Sequence, residues 1–436
     1  MDGGDPGRTA TQARPAPAAA EADAPAIAEA PVTSPEPACR DAASVTASAS
    51  TAPRDTPRAA PDPAPPSGLL DRLARAWTAR LADPGFQARV ARVPVLRRMV
   101  AREGAEMFDL VAGFVRSQVL LALVELDVLE ALRRGPVAEA DLARHADLPP
   151  DRAAILFQAG AALGLLRRRR DGTVALARRG AALIGVPGLP AMIAHHRVLY
   201  RDLADPVALL RGQGATELAA FWPYVFGAGA ATDPATARRY SDLMADSQML
   251  VAQDTLATGA LADTRHLLDV GGGTGAFVAA CCTAHPHLRA TLFDLPQVVA
   301  EAGPRLAAAG VSDRVTPRAG SFRDDPLPEG ADTIALIRVL YDHGDATVAA
   351  LLAKVFAALP PGGRLVISEP MAGTPDRPDA AGDVYFALYT LAMGTGRARS
   401  QARIAALCRA AGFTDLRTPR AARPYVTSVV TARRPG

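Results

Sequence analysis

The chain contains 436 residues, of which 49% are hydrophobic and 21% charged, and its formal net charge is +3 at pH 7. These values exclude a chain that is disordered throughout, a fibrous repeat and a small disulfide-stabilised protein. Its apolar stretches, such as residues 119–124, are far shorter than the roughly 20 residues of a membrane-spanning helix. We therefore expect no membrane span, although contact with a membrane surface stays compatible with the composition.

The charged and metal-binding residue types suggest neither a nucleic-acid partner nor a metal. Of the 48 basic residues, 47 are arginines spread along the chain, whereas a nucleic-acid-binding protein concentrates its charge on one stripe. The seven histidines are scattered and show no metal-ligand spacing. No CxxC motif occurs among the four cysteines, which predicts free thiols in a reducing, cytoplasmic setting: Cys39, Cys281, Cys282 and Cys408.

Residues 1–66 differ in composition from the rest of the chain. They contain 13 prolines and 20 alanines, and no aromatic residue. Such a segment buries too little apolar surface to offset the entropy lost on ordering. We predict a disordered tail.

Residues 69–180 are predicted to form a helical winged-helix domain. Residues 137–166 suggest two short helices around a tight turn, and Asp171-Gly172 suggests a hairpin turn between two strands. Residues 181–262 continue as a helical linker and substrate-binding region. Apolar residues at three- and four-residue steps predict an amphipathic helix over 107–132 with one buried face: Phe108, Val111, Val115, Val119, Ala122 and Leu126.

A winged helix can serve either DNA binding or dimerisation. In the first case the arginines of 167–170 would contact phosphates. The helix that would enter the groove, around 153–163, carries mainly Ala, Leu, Ile and Gly, which offer few groups able to read base edges. We therefore favour dimerisation and expect a homodimer built through residues 69–180.

From residue 263 to residue 436 short apolar strands alternate with helices. This alternation predicts an α/β domain with a mostly parallel sheet covered on both faces. Two further segments near the C-terminus suggest a closing antiparallel pair. The predicted parallel strands are 267–270, 290–294, 315–319, 333–340 and 363–369.

A glycine loop, LLDVGGGTGAF, spans residues 267–277 between a buried strand and a helix. Glycines there permit positive φ and let a ligand approach the backbone beside helix N-terminal amides. The same string also satisfies the pattern of a dinucleotide site. Asp294 ends the next strand, where a carboxylate can accept both hydroxyls of a ribose, as in NAD or S-adenosylmethionine. Alternatively, Asp294 caps the helix that begins near Pro296.

Further motifs follow the glycine loop in a fixed order. They are FDLPQVV (293–299), GSF (320–322), RVLYDHGD (338–345), LPPGGRLVISEP (359–370) and AGF (411–413). Together they resemble the small-molecule O-methyltransferases of the caffeic-acid and hydroxyindole type, over nearly everything after the tail. The resemblance implies a class I, Rossmann-like methyltransferase domain and an N-terminal winged-helix dimerisation domain. It also implies S-adenosylmethionine as cofactor, S-adenosylhomocysteine as product and no metal.

The resemblance also implies cofactor contacts. Ser321 and Phe322 stand where the family has an Asp-Met pair near the adenine, and Arg338 follows Ile337, which occupies a lysine position of plant members. The implied cofactor-binding set is Asp269, Gly271, Gly273, Asp294, Ser321, Phe322 and Arg338.

The catalytic motif departs from the family. The family base is the histidine of a His-Asp-Trp string, whereas this chain has Tyr341-Asp342-His343. Glu369 matches one family glutamate and is by that resemblance a predicted catalytic residue, whereas Ala398 stands where the family has another glutamate. A neutral imidazole accepts protons near pH 7, but a tyrosine hydroxyl has a pKa of about 10. We therefore expect His343 to be the base and Tyr341 to orient the acceptor, both on one side of a continued strand; a surface-loop position for His343 is the alternative.

Aromatic side chains make up only 5% of the chain but cluster in two regions. In the family these regions line the acceptor pocket, which implies a small, apolar, hydroxylated substrate; packing between helices is the alternative. We interpret the neighbouring His195 and His196 as surface or helix-packing residues. The predicted pocket residues are Phe221, Trp222, Tyr224, Phe226, Tyr385 and Tyr389.

Three segments, 107–122, 221–227 and 338–343, resemble the carotenoid O-methyltransferases of purple photosynthetic bacteria more closely. Those enzymes methylate the tertiary 1-hydroxyl of acyclic carotenoids such as demethylspheroidene and hydroxyneurosporene. The resemblance implies such an acceptor, and peripheral contact with the inner or photosynthetic membrane is compatible with it. Two alternatives remain: a phenol or polyketide O-methyltransferase of the same family, and a non-catalytic winged-helix regulator that senses S-adenosylmethionine.

Overall fold

The computed structural model describes residues 68–221 and 247–436. The predicted disordered tail lies outside the described residues. Residues 68–88 belong to a unit of their own. This unit contains α1 (Leu69–Leu81) and the start of α2 (Pro84–Val90), and the rings of Trp77 and Phe86 meet edge to face with centroids 6.0 Å apart.

The second unit begins with two helices where the sequence predicted one. The helix expected over 107–132 is broken at Ala112, because α3 (Pro94–Val111) and α4 (Gly113–Glu125) meet at a bend of 54°. Among the described residues no single helix is long and apolar enough to cross a membrane, and this bent pair is the one combination that qualifies by length and composition.

No residue of the expected face is fully buried, and its second half, from Val119 on, is half-buried. α4 packs against later helices of the domain, so that Leu121 and Leu123 are buried and Val119 contacts the core. By contrast, Phe108 is 66% exposed and Val111 64% exposed, because none of the residues that the structure describes covers the end of α3. The periodicity indicated an apolar face, and the first half of this face is not buried within the single chain.

The next segment has the predicted winged-helix arrangement. Its three strands form an antiparallel sheet in the order β1-β3-β2, and the hairpin turns at Asp171-Gly172. Arg168, within the basic run, forms an ion pair with Glu139 inside the domain. The elements are α5 (Val128–Ala131), β1 (Val137–Ala138), α6 (Glu139–His145), α7 (Pro150–Ala162), β2 (Leu166–Arg168), β3 (Thr173–Leu176) and α8 (Arg178–Ile184).

Helices also connect the winged helix to the sheet domain. Leu199, Leu209 and Leu218 from this region are buried against Tyr389 and Met393, which come from the sheet domain. The connecting helices therefore pack directly against the sheet domain, at the helix that carries Tyr389. They are α9 (Leu189–Asp202), α10 (Pro206–Leu210), α11 (Glu217–Phe221) and α12 (residues 247–257).

A seven-stranded sheet forms the second half of the chain, and its first five strands are parallel, as predicted. The last two strands are antiparallel and close the sheet, which confirms the predicted C-terminal pair. In order across the sheet, the strands are β6 (Val315–Ala319), β5 (Arg289–Asp294), β4 (His266–Val270), β7 (Thr333–Ile337), β8 (Arg364–Glu369), β10 (Ser428–Arg433) and β9 (Thr414–Arg417).

Helices cover both faces of this sheet. Alternate strand residues face opposite layers: Ala335 and Ile337 pack with α12 and α13, whereas Ile334 and Leu336 pack with α16 and α18. The helices after α12 are α13 (Ala276–Ala284), α14 (Pro296–Val299), α15 (Ala302–Ala308), α16 (Asp345–Ala358), α17 (Ala387–Ala392) and α18 (Gln401–Ala410).

The fourth parallel strand, β7, ends three residues earlier than predicted. Arg338 adopts φ +58°, in the left-handed region, and this ends the extended backbone after Ile337. A 3-10 turn over Leu340–Asp342 follows. The expectation that Tyr341 and His343 point to one side of a continued strand was therefore wrong.

The exposed end of α3 and start of α4 should be the contact between two copies of the chain. We expect Phe108→Glu and Phe114→Glu, at positions 66% and 71% exposed, to convert a dimer into monomers, because each places a charge on an apolar face. Ile155→Glu is the matched control, since Ile155 is 65% exposed and lies on another helix, α7. Light scattering that reports a monomeric wild type at micromolar concentration would contradict the assignment.

Candidate active site

The glycine loop joins β4 to α13 at the carboxyl edge of the sheet. Gly271, Gly273 and Gly275 have φ values of +69°, +61° and +82°. A Cβ on Gly272 would collide with Leu292 and lie 2.5 Å from Asp269 Oδ2, whereas a Cβ on Gly273 would meet nothing within 4 Å. The loop therefore needs glycine for its path and leaves open space beside its backbone, where a ligand can approach.

Asp294, at the end of β5, binds the glycine loop directly. Its Oδ2 accepts a hydrogen bond from the Gly273 N–H at 2.7 Å, and its Oδ1 accepts one from the Leu295 N–H at 2.7 Å. Burial raises the pKa of Asp294, and these two N–H donors oppose the rise. The helix-cap alternative is not what the structure has, because α14 begins after Leu295 without a side-chain cap.

Asp269 lies beneath the same loop, near the end of β4. It is fully buried, and neither carboxylate oxygen has a hydrogen-bond partner among the described residues. Burial and the nearby charge of Asp294 raise the pKa of Asp269 to about 8. A buried and a half-buried carboxyl beside an open glycine backbone fit a positively charged ligand with a ribose, and S-adenosylmethionine has both features.

His343, which follows the 3-10 turn after β7, packs against Phe322. The two rings contact each other edge to face with centroids 5.3 Å apart, and the Nδ1 atom of His343 lies 3.1 Å from Nη2 of Arg323. His343 is 6% exposed, so the surface-loop alternative is wrong. Burial, followed by the charges of Arg323 and Arg399, lowers its pKa to about 3. An imidazole with that pKa is a poor base at neutral pH, which argues against the predicted role.

Two buried charged side chains hold the turn at 340–343. The Oε2 atom of Glu369 accepts a hydrogen bond from the Tyr341 N–H at 3.1 Å. Arg399 donates to the carbonyl oxygens of Leu340 at 2.9 Å and His343 at 2.7 Å. Glu369, which we predicted to be catalytic, thus positions backbone. The sequence did not predict this role of Arg399, because the family motif marks the preceding position, Ala398, where the family has a glutamate.

A cavity of about 360 Å³ opens between the connecting helices and the sheet domain. Tyr425 lines it and is 65% exposed, so the cavity reaches the surface. Most of its wall is apolar or aromatic, which suits an apolar molecule. Its lining includes Leu189, Met192, Val251, Pro370, Ala381, Tyr385, Phe386, Tyr389, Met393 and Val426.

Polar groups converge at one end of this cavity. Arg338 Nη1 donates to Ser247 Oγ at 2.6 Å, and Nη2 donates to the Tyr341 hydroxyl at 3.3 Å. Burial raises the pKa of Tyr341 further above its usual value. Arg338 therefore lies in the cavity with Tyr341, although we had assigned it to the cofactor.

Asp342 belongs to the same polar end. It lines the cavity, and its Oδ1 atom has no hydrogen-bond partner among the described residues. Burial raises the pKa of Asp342 to about 7, against the opposing charge of Arg338. The sequence did not predict a role for Asp342, because in the family's His-Asp-Trp string the base is the histidine before the aspartate, and Tyr341 holds that position here.

The neighbouring histidines of α9 each bind a tyrosine of the sheet domain. His195 Nε2 lies 3.0 Å from the Tyr389 hydroxyl, and His196 Nε2 lies 2.6 Å from the Tyr385 hydroxyl. Burial lowers the pKa of both imidazoles, that of His195 to about 4. The helix-packing interpretation is therefore correct for both, and His196 also lines the cavity.

The predicted aromatic pocket is visible in part. Tyr385 and Tyr389 form part of the cavity wall. Phe221 ends α11, and the structure describes its backbone only. Trp222, Tyr224 and Phe226 lie outside the described residues. Within the two described ranges, no group of three His, Cys, Asp or Glu side chains could hold a metal ion.

Comparisons with known proteins agree with this geometry. The chain matches the model of an O-methyltransferase domain over residues 200–414 and that of an O-methyltransferase dimerisation domain over residues 108–184. It is 57% identical to a demethylspheroidene O-methyltransferase of Cereibacter sphaeroides, over 80% of this chain and 92% of the relative. A demethylspheroidene O-methyltransferase of Rhodobacter capsulatus is 54% identical, over 79% and 85%.

A solved structure shares the fold. The human N-acetylserotonin methyltransferase in complex with SAM superposes with a TM-score of 0.67 at 23% identity, over 77% of this chain and 98% of that one. At this identity the likeness concerns the fold alone.

Removing the Asp294 carboxylate should weaken cofactor binding. We expect Asp294→Ala to lose about 2–4 kcal/mol of affinity for S-adenosylhomocysteine, because charge-assisted bonds to the ribose are lost and Gly273 is released. Glu301→Ala, at an exposed position nearby, should change nothing. Calorimetry measures the affinity, and circular dichroism checks the fold. Equal affinity of both variants would refute the assignment.

Proposed function

The chain belongs to the S-adenosylmethionine-dependent O-methyltransferases with an N-terminal dimerisation domain, and from this premise we propose that it methylates the tertiary hydroxyl of an acyclic carotenoid. The observation that carries the proposal is the similarity to two demethylspheroidene O-methyltransferases over most of both chains. The dimerisation domain supports a homodimer. Relatives that act on phenols, such as a naphthoate 3-O-methyltransferase of Streptomyces sahachiroi, are 33% identical.

The cavity supports an acceptor with one hydroxyl at the end of a long apolar chain. Its wall is apolar over most of its surface, and its polar groups lie together around Arg338 and Tyr341. The rest of the acceptor molecule needs an opening to the surface, and the cavity has one beside Tyr425. A volume of about 360 Å³ would hold the terminal portion of such a molecule.

The protein's own contribution is to bind, align and exclude water. The glycine loop, Asp269 and Asp294 would hold S-adenosylmethionine, which when bound supplies a methyl group on a positively charged sulfur. The cavity aligns the acceptor oxygen, and its apolar wall excludes water that would compete for the methyl group. The Tyr341 hydroxyl, bound by Arg338, is placed to orient the acceptor hydroxyl.

Transfer of a labelled methyl group tests the acceptor. We expect label in demethylspheroidene or hydroxyneurosporene, and none in a panel of phenols. Met192→Trp should reduce kcat/KM at least tenfold, because the ring fills the cavity, whereas Val207→Trp at an exposed position of α10 should not. Label in phenols alone would favour the second acceptor class, and no label at all would favour a regulator.

We also propose that α1 contacts a membrane surface, where an apolar carotenoid is found. Leu69, Leu73, Trp77 and Leu81 follow one another at four-residue steps along one face, and no side chain of α1 is buried. Arg72 and Arg75 project from the opposite side, and Arg80 lies at the C-terminal end of the apolar side. An amphipathic helix with Trp and Leu on one face and arginines on the other is typical of helices that lie in the membrane interface.

Vesicle binding tests this contact. We expect the full chain to sediment with vesicles that contain anionic lipid, and Leu73→Glu to reduce the bound fraction severalfold by placing a charge on the apolar face. Thr78→Glu adds the same charge on the other side of α1 and should have a smaller effect. Equal losses in both variants, or no binding by the wild type, would contradict the proposal.

A further inference from the structure

The cavity contains one ionisable group whose interactions are incomplete. Asp342 ends the 3-10 turn after β7, and its Oδ1 atom is buried without a hydrogen-bond partner among the described residues. An unpartnered buried carboxylate oxygen costs free energy, so its retention needs an explanation. A hydroxyl in the cavity would supply the missing donor.

The turn presents this carboxylate rigidly. Arg399 binds the carbonyl oxygens on both sides of Asp342, those of Leu340 and His343, and Glu369 binds the N–H of Tyr341. The backbone carrying Asp342 is thus bound at three points by buried side chains. A catalytic group must be held in a fixed position relative to the reacting atom, and these bonds fix the backbone of Asp342.

We propose that Asp342 is the general base that accepts the hydroxyl proton of the acceptor. The inference rests on the proposed function only in requiring an acceptor with a hydroxyl group, either a carotenoid alcohol or a phenol. In the step, a lone pair of the acceptor oxygen forms the bond to the methyl carbon. The carbon–sulfur bond breaks and leaves its electron pair on the sulfur, while the hydroxyl proton moves to Asp342 Oδ1 and later to water.

Other candidates for the base are less suitable. His343 is absent from the cavity lining, and its pKa is about 3. The hydroxyl of Tyr341 has a raised pKa and holds its proton at neutral pH. His196 lines the cavity, but its Nε2 atom is engaged with Tyr385 and burial lowers its pKa.

The surroundings of Asp342 determine when it can act. Burial disfavours its charged form, whereas the charge of Arg338 and a hydrogen bond with the Tyr341 side chain favour it, which leaves the pKa at about 7. The base is the deprotonated carboxylate, so activity should rise as the pH increases through 7. The charged and titratable groups around it come from the same turn, from β8, from α9, from the helices over 380–392 and from the loop before α18: Arg338, Tyr341, His343, Glu369, His196, Tyr385, Tyr389 and Arg399.

The test compares Asp342→Asn with the wild type in the full-length enzyme, on whichever acceptor the wild type methylates. We expect kcat to fall by about 10²–10⁴, the pH-dependent limb near 7 to vanish, and affinity for S-adenosylhomocysteine to stay the same. Asp342→Glu should recover part of kcat. Asp313→Asn, at an exposed position, should keep the wild-type pH profile.

A second measurement does not depend on turnover. Infrared difference spectra should show a carboxyl band that titrates near pH 7 in the wild type and in Asp313→Asn and is lost in Asp342→Asn, whereas the bands of other buried carboxyls, such as Asp269, stay in all three. A kcat for Asp342→Asn within threefold of the wild type, or a pH limb that persists in it, would overturn the proposal. So would the same infrared titration in all three proteins. Failure of the carotenoid proposal would instead appear in the wild type, as label on phenols.

Discussion

The arrangement of the site depends on the bonds that Arg399 makes to the backbone of the 340–343 turn. Arg399 is 2% exposed, and besides Leu340 and His343 it binds Asp345, the first residue of α16. Buried carbonyl groups require partners, and a guanidinium can serve several at once. Because the turn is fixed in this way, Asp342 and Tyr341 line the cavity while the His343 ring packs against Phe322. One buried arginine thus fixes the turn with Tyr341 and Asp342 at the cavity and His343 outside its lining.

The carboxyl edge of the sheet concentrates buried acids. Asp269, Asp342 and Glu369 all have raised pKa values, because burial disfavours their charged forms. Each also has at least one oxygen without a partner among the described residues. A cationic ligand compensates such a set: it favours the ionised forms, so its binding and the release of protons are linked. The site is therefore better adapted to a positively charged cofactor than to a neutral one.

The sequence predicted the regular parts of this fold and missed what depends on tertiary contacts. The glycine loop, the parallel strands and the antiparallel pair follow from local pattern, and all are present. The end of β7 could not be predicted, because Arg338 adopts a left-handed conformation without being glycine. The buried position of Arg399 was equally invisible, since arginine is mostly a surface residue. Periodicity identified the apolar face at the end of α3, but the bend at Ala112, which leaves the start of that face exposed, could not be predicted from it.

Replacing an imidazole base by a carboxylate requires that the carboxylate be tuned to neutral pH. An exposed aspartate, with a pKa of about 3.9, would be a weak base there. The apolar cavity raises the pKa of Asp342, and Arg338 limits the rise. Arg338 can reach the cavity because its own left-handed backbone ends β7 and starts the turn that carries Asp342. The left-handed backbone of Arg338 therefore ends β7 and also places its guanidinium where it limits the rise in the pKa of Asp342. The local backbone conformation and the chemistry of the site are linked through this one residue.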